Sequence, residues 1–119
     1  MMHTDLEVYK SSMMLVKEIY DLTSSFPRDE VWGLTSQMKR AVVSIPSNIA
    51  EGCGRRSSRE LSNFLNVALG SLTELITQID IALMLGFIED KVIAQNTTGT
   101  AQRVKRQLVG LIKSVEDQA

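Results

Sequence analysis

The sequence is short of the residues that most often carry catalysis or bind metals. It has one cysteine, Cys53, and one histidine, His3, and it lacks the paired Glu-x-x-His motifs that hold two irons in a helical bundle. No acid, base and nucleophile can be grouped from what remains, and one cysteine cannot form an internal disulfide. We therefore expect a protein that is not an enzyme and that holds no metal and no cofactor.

Aromatic residues and prolines are also scarce. The chain is 44% hydrophobic but only 5% aromatic, with two prolines in 119 residues, and this composition favours aliphatic helix packing over a β-sandwich. No segment approaches the ~20 apolar residues of a membrane span, and the N-terminus lacks the basic and apolar regions of a secretory signal. We expect one domain over residues 1–119, in the cytoplasm.

Apolar residues recur three and four positions apart in four segments, which predicts four amphipathic helices. We expect these helices over about 4–24, 27–52, 58–85 and 90–115, with Thr4 as the first N-cap. Gly33 and Thr35 should divide the second helix near its start into a short piece and a longer one. Because the connections are short, the pattern indicates an all-α protein, an antiparallel up-down-up-down four-helix bundle.

The stretch 40–58 contains the second half of one helix, a tight turn and the start of the next. Pro46 cannot donate a hydrogen bond to the Val42 carbonyl, so we expect a kink there, with the Asn48 side chain bonding that carbonyl. Gly52 can close the helix in the left-handed conformation. Ser57, followed three residues later by a glutamate, forms a capping box that should start the third helix at about residue 58.

Basic charge is concentrated in two segments, although the whole chain has a net charge of -1. Residues 37–59 carry five basic and one acidic side chain, and residues 103–119 carry four basic and two acidic. The predicted nucleic-acid-binding residues are the five basic ones of the first segment: Lys39, Arg40, Arg55, Arg56 and Arg59. Without a nearby aromatic for base stacking, they would contact phosphates independently of sequence. The alternative is a solvated basic loop.

Several polar residues interrupt the apolar pattern and form a second candidate group. We expect a structural polar network between helices or subunits, and its members are Arg40, Asn48, Glu51, Glu60 and Glu74. Direct contact with a ligand is the alternative. Gly70, in the middle of the third helix, costs ~1 kcal/mol relative to alanine, so we expect it to let another helix approach closely.

Cys53 lies between two glycines and just before two arginines. A helix N-terminus and neighbouring arginines both lower a thiol pKa, but no histidine is available as a base, so a loop cysteine of modest reactivity is expected. The residues around it superficially resemble a phosphate-binding loop. They follow a helix rather than a strand, however, which argues against nucleotide binding.

Three segments carry a family resemblance. The runs QMKRAVVSIPSNIAEG at 37–52, FLNVALGSLTEL at 64–75 and LGFI at 85–88 are similar to signatures of the four-helix-bundle proteins encoded in intervening sequences of bacterial 23S ribosomal RNA genes. Accessory proteins of diversity-generating retroelements look like relatives of that family. The resemblance implies a ring-like homo-oligomer, a pentamer, and contact with nucleic acid. Residues 95–100, which are poor in helix formers, depart from its pattern.

Two functional hypotheses follow. In the first, an oligomeric helical bundle binds RNA, DNA or a nucleic-acid enzyme through the basic segment 37–59. In the second, a structural or adaptor oligomer binds another protein and no nucleic acid. Charge segregation and the resemblance favour the first hypothesis, whereas the slightly acidic net charge favours the second.

Overall fold

A computed structural model of the protein describes residues 2–118. Its helices are α1 (Glu7–Thr23), α2 (Leu34–Cys53), α3 (Ser58–Met84) and α4 (Lys91–Gln118), with 3-10 turns at His3–Asp5 and Arg28–Glu30. These described residues contain no strand. The all-α four-helix fold is therefore as predicted.

Each helix packs against its two neighbours in a closed square. α1 contacts α2, α2 contacts α3, α3 contacts α4, and α4 returns to α1, with the most extensive contact between α2 and α3. The bundle measures 45 × 26 × 20 Å. The outer face between α1 and α4 thus lies opposite the outer face between α2 and α3.

Aliphatic side chains from all four helices fill the centre of the bundle. These residues hold the periodic positions of each helix, which explains why the apolar pattern gave the fold class. Its largest fully buried members are Leu15, Ile19, Met38, Ile45, Ile49, Leu65, Leu72, Leu75, Ile79 and Leu108.

The predicted cap of α1 is wrong, whereas the predicted division of the second helix is confirmed. Thr4 was expected to cap α1, but it lies in a 3-10 turn, and Leu6 holds the N-cap position without a side-chain cap. The second predicted helix does divide, as expected, at Gly33. There the Leu34 N–H donates to Glu30 Oε1 at 3.1 Å, so a side chain of the short piece caps the long one.

Glycine is used differently from the sequence-based prediction. Gly52 was expected to close α2 in the left-handed conformation, but the only positive φ among residues 2–118 is at Gly86. Gly52 is instead buried where α2 meets α3, and a Cβ there would lie 2.9 Å from Phe64 Cβ. Gly70 was expected to admit another helix, yet its surroundings within the chain are open.

α3 is long and apolar enough to cross a membrane by length and composition alone, contrary to the expectation from the sequence. One third of its most apolar stretch is buried in the bundle. Its buried residues pack against α2 and α4, and the core helix of a bundle has the same composition. Part of its apolar surface nevertheless faces outward.

α2 continues as a helix through Pro46 to Cys53, as the apolar period indicated. The weak helix formers at 95–100 also lie within a continuous helix. Thr97 and Thr100 are buried there, which shows that tertiary packing outweighs the poor helix propensity of this stretch.

Candidate nucleic-acid interface

Two hydrogen bonds shape the turn between α2 and α3. The Arg55 N–H donates to the Gly52 carbonyl at 3.1 Å, which holds the chain tightly after α2. Ser57 is extended and its Oγ accepts from the Glu60 N–H at 3.1 Å, which caps α3 as predicted. Three arginines, at 55, 56 and 59, are thereby presented around the N-terminus of a long helix, where the helix dipole favours anions.

Arg55 is held within its own subunit. Its guanidinium pairs with Glu51 at 2.7 Å and lies 4.8 Å from the centre of the Phe64 ring. An exposed pair of this kind contributes roughly 0–1 kcal/mol to stability. The pair partly neutralises Arg55, so this arginine is less available to a phosphate than its position suggests.

Arg56 and Arg59 are the available cations of the turn. Both are exposed, and within residues 2–118 neither has a carboxylate oxygen within 4 Å. Arg59 lines a shallow cleft of about 380 Å³ with Ser62, Asn63 and Glu116. The hydroxyl and amide groups of this cleft are suited to a phosphate or a sugar, whereas Glu116 opposes an anion.

Lys39 and Arg40 do not join the arginines of the turn. Arg40 and Arg55 are 15 positions apart, roughly 20 Å along the bundle at 1.5 Å per helical residue. Lys39 lies over the Tyr20 ring of α1, 4.7 Å from its centre, while Arg40 faces α3. The five residues predicted to bind nucleic acid therefore fall into two separate groups.

The predicted polar network is also divided. Asn48 Nδ2 donates to the Ser44 carbonyl at 2.8 Å and contacts Ser44 Oγ at 2.9 Å, so the expected bond to the Val42 carbonyl is wrong. A side chain on a helix reaches the carbonyl four residues earlier, not six. Ser44 Oγ then bonds Ser71 Oγ at 2.9 Å, which ties α2 to α3.

The other members of the predicted network make separate contacts in different parts of the bundle. Glu51 pairs with Arg55, and Glu60 contributes its backbone N–H to the cap of α3. Arg40 and Glu74 line one cleft of about 530 Å³ between α2 and α3, yet no ion pair within 4 Å joins them among the described residues. Gln78 donates to Glu74 at 3.3 Å in this cleft.

A cleft between α1 and α4 was missed by the sequence analysis. Thr100 Oγ1 donates to Glu18 Oε1 at 2.8 Å, and Glu18 Oε2 is buried without a partner among residues 2–118. Arg103 and Arg106 line the same cleft of about 480 Å³. The run of polar residues at 95–100, which interrupts an otherwise helical pattern, was the available signal.

The two basic segments of the sequence do not form one surface. Arg103 of α4 donates to Met14 Sδ at 3.4 Å and so lies on the α1–α4 face. The turn arginines follow α2 and begin α3. The basic residues of α4 are therefore divided, because Lys113 lies nearer the end of the bundle that carries the turn arginines, where Glu116 of α4 lines a cleft with Arg59.

Cys53 is the last residue of α2 and is half-buried. Burial raises the pKa of its thiol above the ordinary value of 9.0, contrary to the lowering that was expected from the helix N-terminus and the neighbouring arginines. In the described part of the chain, no group of three or more His, Cys, Asp or Glu side chains could hold a metal ion.

The fold is that of a small helical bundle whose four helices pack as sequence neighbours. Residues 4–110 match the family model of the 23S rRNA-intervening sequence proteins, and the chain belongs to this family. A crystal structure of a protein described as of unknown function, from the S23 ribosomal protein family of Bacteroides thetaiotaomicron VPI-5482, has the same fold. It is 20% identical, with a TM-score of 0.82 over 95% of this chain and 99% of that one. No curated protein matches the chain.

Proposed function

We propose that the protein is a non-enzymatic homo-oligomer, a ring of five subunits in the cytoplasm, that binds RNA or DNA, or an enzyme acting on them, through the turn between α2 and α3. The observation that carries this proposal is the pair of exposed arginines, Arg56 and Arg59, at the N-terminus of α3 without a carboxylate partner in the described residues. Such groups contact backbone phosphates without reading sequence.

Two cations per subunit bind nucleic acid weakly, and repetition in an oligomer strengthens the binding. Several turns engaging one strand act as linked sites with a high effective concentration. The outer face of α2 and α3 supports subunit contact, since Val43 and Val67 are exposed there and the space around Gly70 is open. Sedimentation velocity of the purified protein tests the oligomer, and a monomer would remove this part of the proposal.

The test of nucleic-acid binding is a salt series with labelled single-stranded and double-stranded RNA and DNA. We expect wild type to bind with a steep salt dependence, and Arg56→Ala/Arg59→Ala to bind more weakly with a shallower slope. Lys91→Ala/Lys105→Ala removes the same charge from α4, away from the turn, and serves as the control. Equal losses in both variants would show only a general charge effect, and no binding at low salt would reject nucleic acid.

The alternative function is a structural or adaptor oligomer that binds another protein and no nucleic acid. Glu51 beside Arg55 and Glu116 beside Arg59 reduce the positive field of the turn, in keeping with the net charge of -1. This alternative gains support from a second surface, at the opposite end of the bundle.

A further inference from the structure

Exposed apolar side chains are concentrated in two segments of the chain. Fifteen large hydrophobic residues are exposed in residues 2–118, and nine of them lie in segments 20–33 and 80–93, which hold 28 of the 117 described residues. Trp32 is 91% exposed and Met84 is 76% exposed. Single exposed hydrophobic residues are ordinary, but a concentration of this kind marks an interaction surface. Of the nine residues in these two segments, the six most exposed are Val31, Trp32, Met84, Leu85, Val92 and Ile93.

Both segments lie at one end of the bundle. The rings of Phe26 and Phe87, one from each segment, have centres 5.5 Å apart. The Ser44–Ser71 bond sets the antiparallel register of α2 and α3, so the connection before α2, which holds Trp32, lies at the same end of the bundle as the end of α3 at Met84. The bundle is 26 × 20 Å across, which limits the lateral separation of the exposed side chains at this end.

This surface is also acidic. Segments 20–33 and 80–93 contain six acidic residues and two basic ones, a net charge of -4. Asp21, Glu89 and Asp90 converge on a cavity of about 310 Å³ that is otherwise lined largely by apolar side chains such as Phe87 and Ile93. Apolar area beside carboxylates fits a ligand that is both apolar and positively charged.

We propose that this surface, the acidic apolar end formed by segments 20–33 and 80–93, binds a basic amphipathic helix of a partner protein. The apolar stripe of such a helix covers Trp32 and Met84, and a lysine or arginine beside the stripe enters the cavity at Asp21 and Glu89. This inference extends the adaptor function named above and is independent of the turn arginines. Helix-in-groove binding of this kind uses apolar anchors for affinity and charge for orientation.

A second copy of the chain is a poor occupant. Two acidic apolar ends facing each other would bring together two surfaces of net charge -4. The opposite end, segments 2–8, 50–62 and 111–118, carries four basic and six acidic residues, and Met2 is the one exposed large hydrophobic residue described there. It therefore offers neither the positive charge nor the apolar area that the acidic apolar end requires. Acidic charge likewise disfavours nucleic acid and anionic lipid.

The chain contains its own reporter, because Trp32 is its sole tryptophan. The probe is a synthetic helical peptide of leucine and lysine, about 18 residues long, titrated into wild type without nucleic acid. We expect a saturable blue shift of Trp32 emission. The affinity derived from it should fall as NaCl is raised from ~0.05 to ~0.5 M, because salt screens the charged contacts. A peptide of the same composition in scrambled order, and a leucine–glutamate peptide, should give no saturable shift.

Charge reversal locates the binding. Asp21→Lys/Glu89→Lys should weaken peptide binding about tenfold or more, whereas Glu116→Lys/Asp117→Lys, the matched pair at the opposite end, should leave it unchanged. None of these four side chains caps a helix, and circular dichroism verifies folding. The proposal is overturned if wild type shows no shift, if the scrambled peptide binds equally, if both variants lose binding equally, or if the emission shifts with protein concentration alone.

The apolar half of the proposal needs a separate variant. Met84→Ser removes an exposed side chain while keeping Trp32, and we expect about fivefold weaker peptide binding; Met2→Ser is the control at the opposite end. Unchanged binding by Met84→Ser would contradict the placement of the apolar stripe. Nucleic-acid binding is measured separately on wild type, so failure of the peptide result and failure of the turn proposal are distinguishable.

Discussion

The two ends of the bundle join antiparallel helices in different ways. The turn end joins α2 to α3 in four residues, with a buried Gly52, a capping Ser57 and polar exposed side chains. The acidic apolar end uses two longer connections, packs Phe26 against Phe87 beneath them, and leaves Trp32 exposed. The turn end thus exposes few large apolar side chains, whereas the acidic apolar end exposes several that the fold does not bury.

Stability and binding therefore depend on different residues, even within the single connection between α1 and α2. A buried aromatic and an exposed aromatic can lie six positions apart, as Phe26 and Trp32 do. Removing the first should unfold the end, and removing the second should leave the fold intact. Substitutions at both ends of the bundle test that separation.

The largest effect is expected from Phe26→Ala. Phe26 is 8% exposed, and its loss leaves a cavity beneath the connections and removes the contact with Phe87. We expect a loss of about 3 kcal/mol in the free energy of unfolding, measured by urea denaturation followed by circular dichroism. Trp32→Ala, at the same end, should change it by less than about 0.5 kcal/mol. Equal losses in the two variants would show that Trp32 is part of the core.

Replacing two glycines by alanine compares a crowded helix contact at the turn end with an open position on the surface of α3. Gly52→Ala puts a methyl group 2.9 Å from Phe64 Cβ and 3.3 Å from the Leu61 carbonyl, so α2 and α3 must separate, at a cost of about 1–3 kcal/mol. Gly70→Ala meets no neighbouring atom and should stabilise the monomer by about 0.5–1 kcal/mol. Thermal denaturation of both variants gives the two signs. A stabilised Gly52→Ala would refute the close approach.

A smaller effect is expected from the cap of α3. Ser57→Ala removes the Oγ that accepts from the Glu60 N–H, and the loss should be about 1 kcal/mol. Ser57→Asp retains an acceptor and a favourable charge at the helix N-terminus and should restore wild-type stability. Urea denaturation measures both variants. If aspartate behaves like alanine, the hydrogen bond does not stabilise α3.

The fold was predictable because its causes are local and periodic. Each helix buries a stripe at helical spacing, and Ser57 marks the start of α3 by a pattern visible within four residues. Thr4 failed as a cap because a 3-10 turn, too short to leave a periodic signal, moved the helix start to Glu7. Gly52 was identified as special for the wrong reason. Its contact with Phe64 joins two helices, and no local pattern reports that distance.

The candidate sites were less predictable because they depend on which faces meet. Lys39 and Arg40 are adjacent in sequence, yet one faces α1 and the other faces α3. Neighbouring helical positions point about 100° apart, so a cluster in sequence need not be a cluster in space. The bond from Thr100 to Glu18 joins positions 82 apart, and a single sequence carries no signal for such a pair.

The smallest effect is a pH dependence at the turn end. Burial raises the pKa of Cys53 in the folded protein above its ordinary value of 9.0. The folded state therefore holds its proton more tightly than the unfolded state, and the stability contributed below pH 9 is lost as the pH rises through the folded pKa. At pH 8 the native thiol should react more slowly with a disulfide reagent than the urea-unfolded thiol does. Since the turn arginines would lower the pKa if they dominated, a faster native reaction would show that their charge, rather than burial, governs the end of α2.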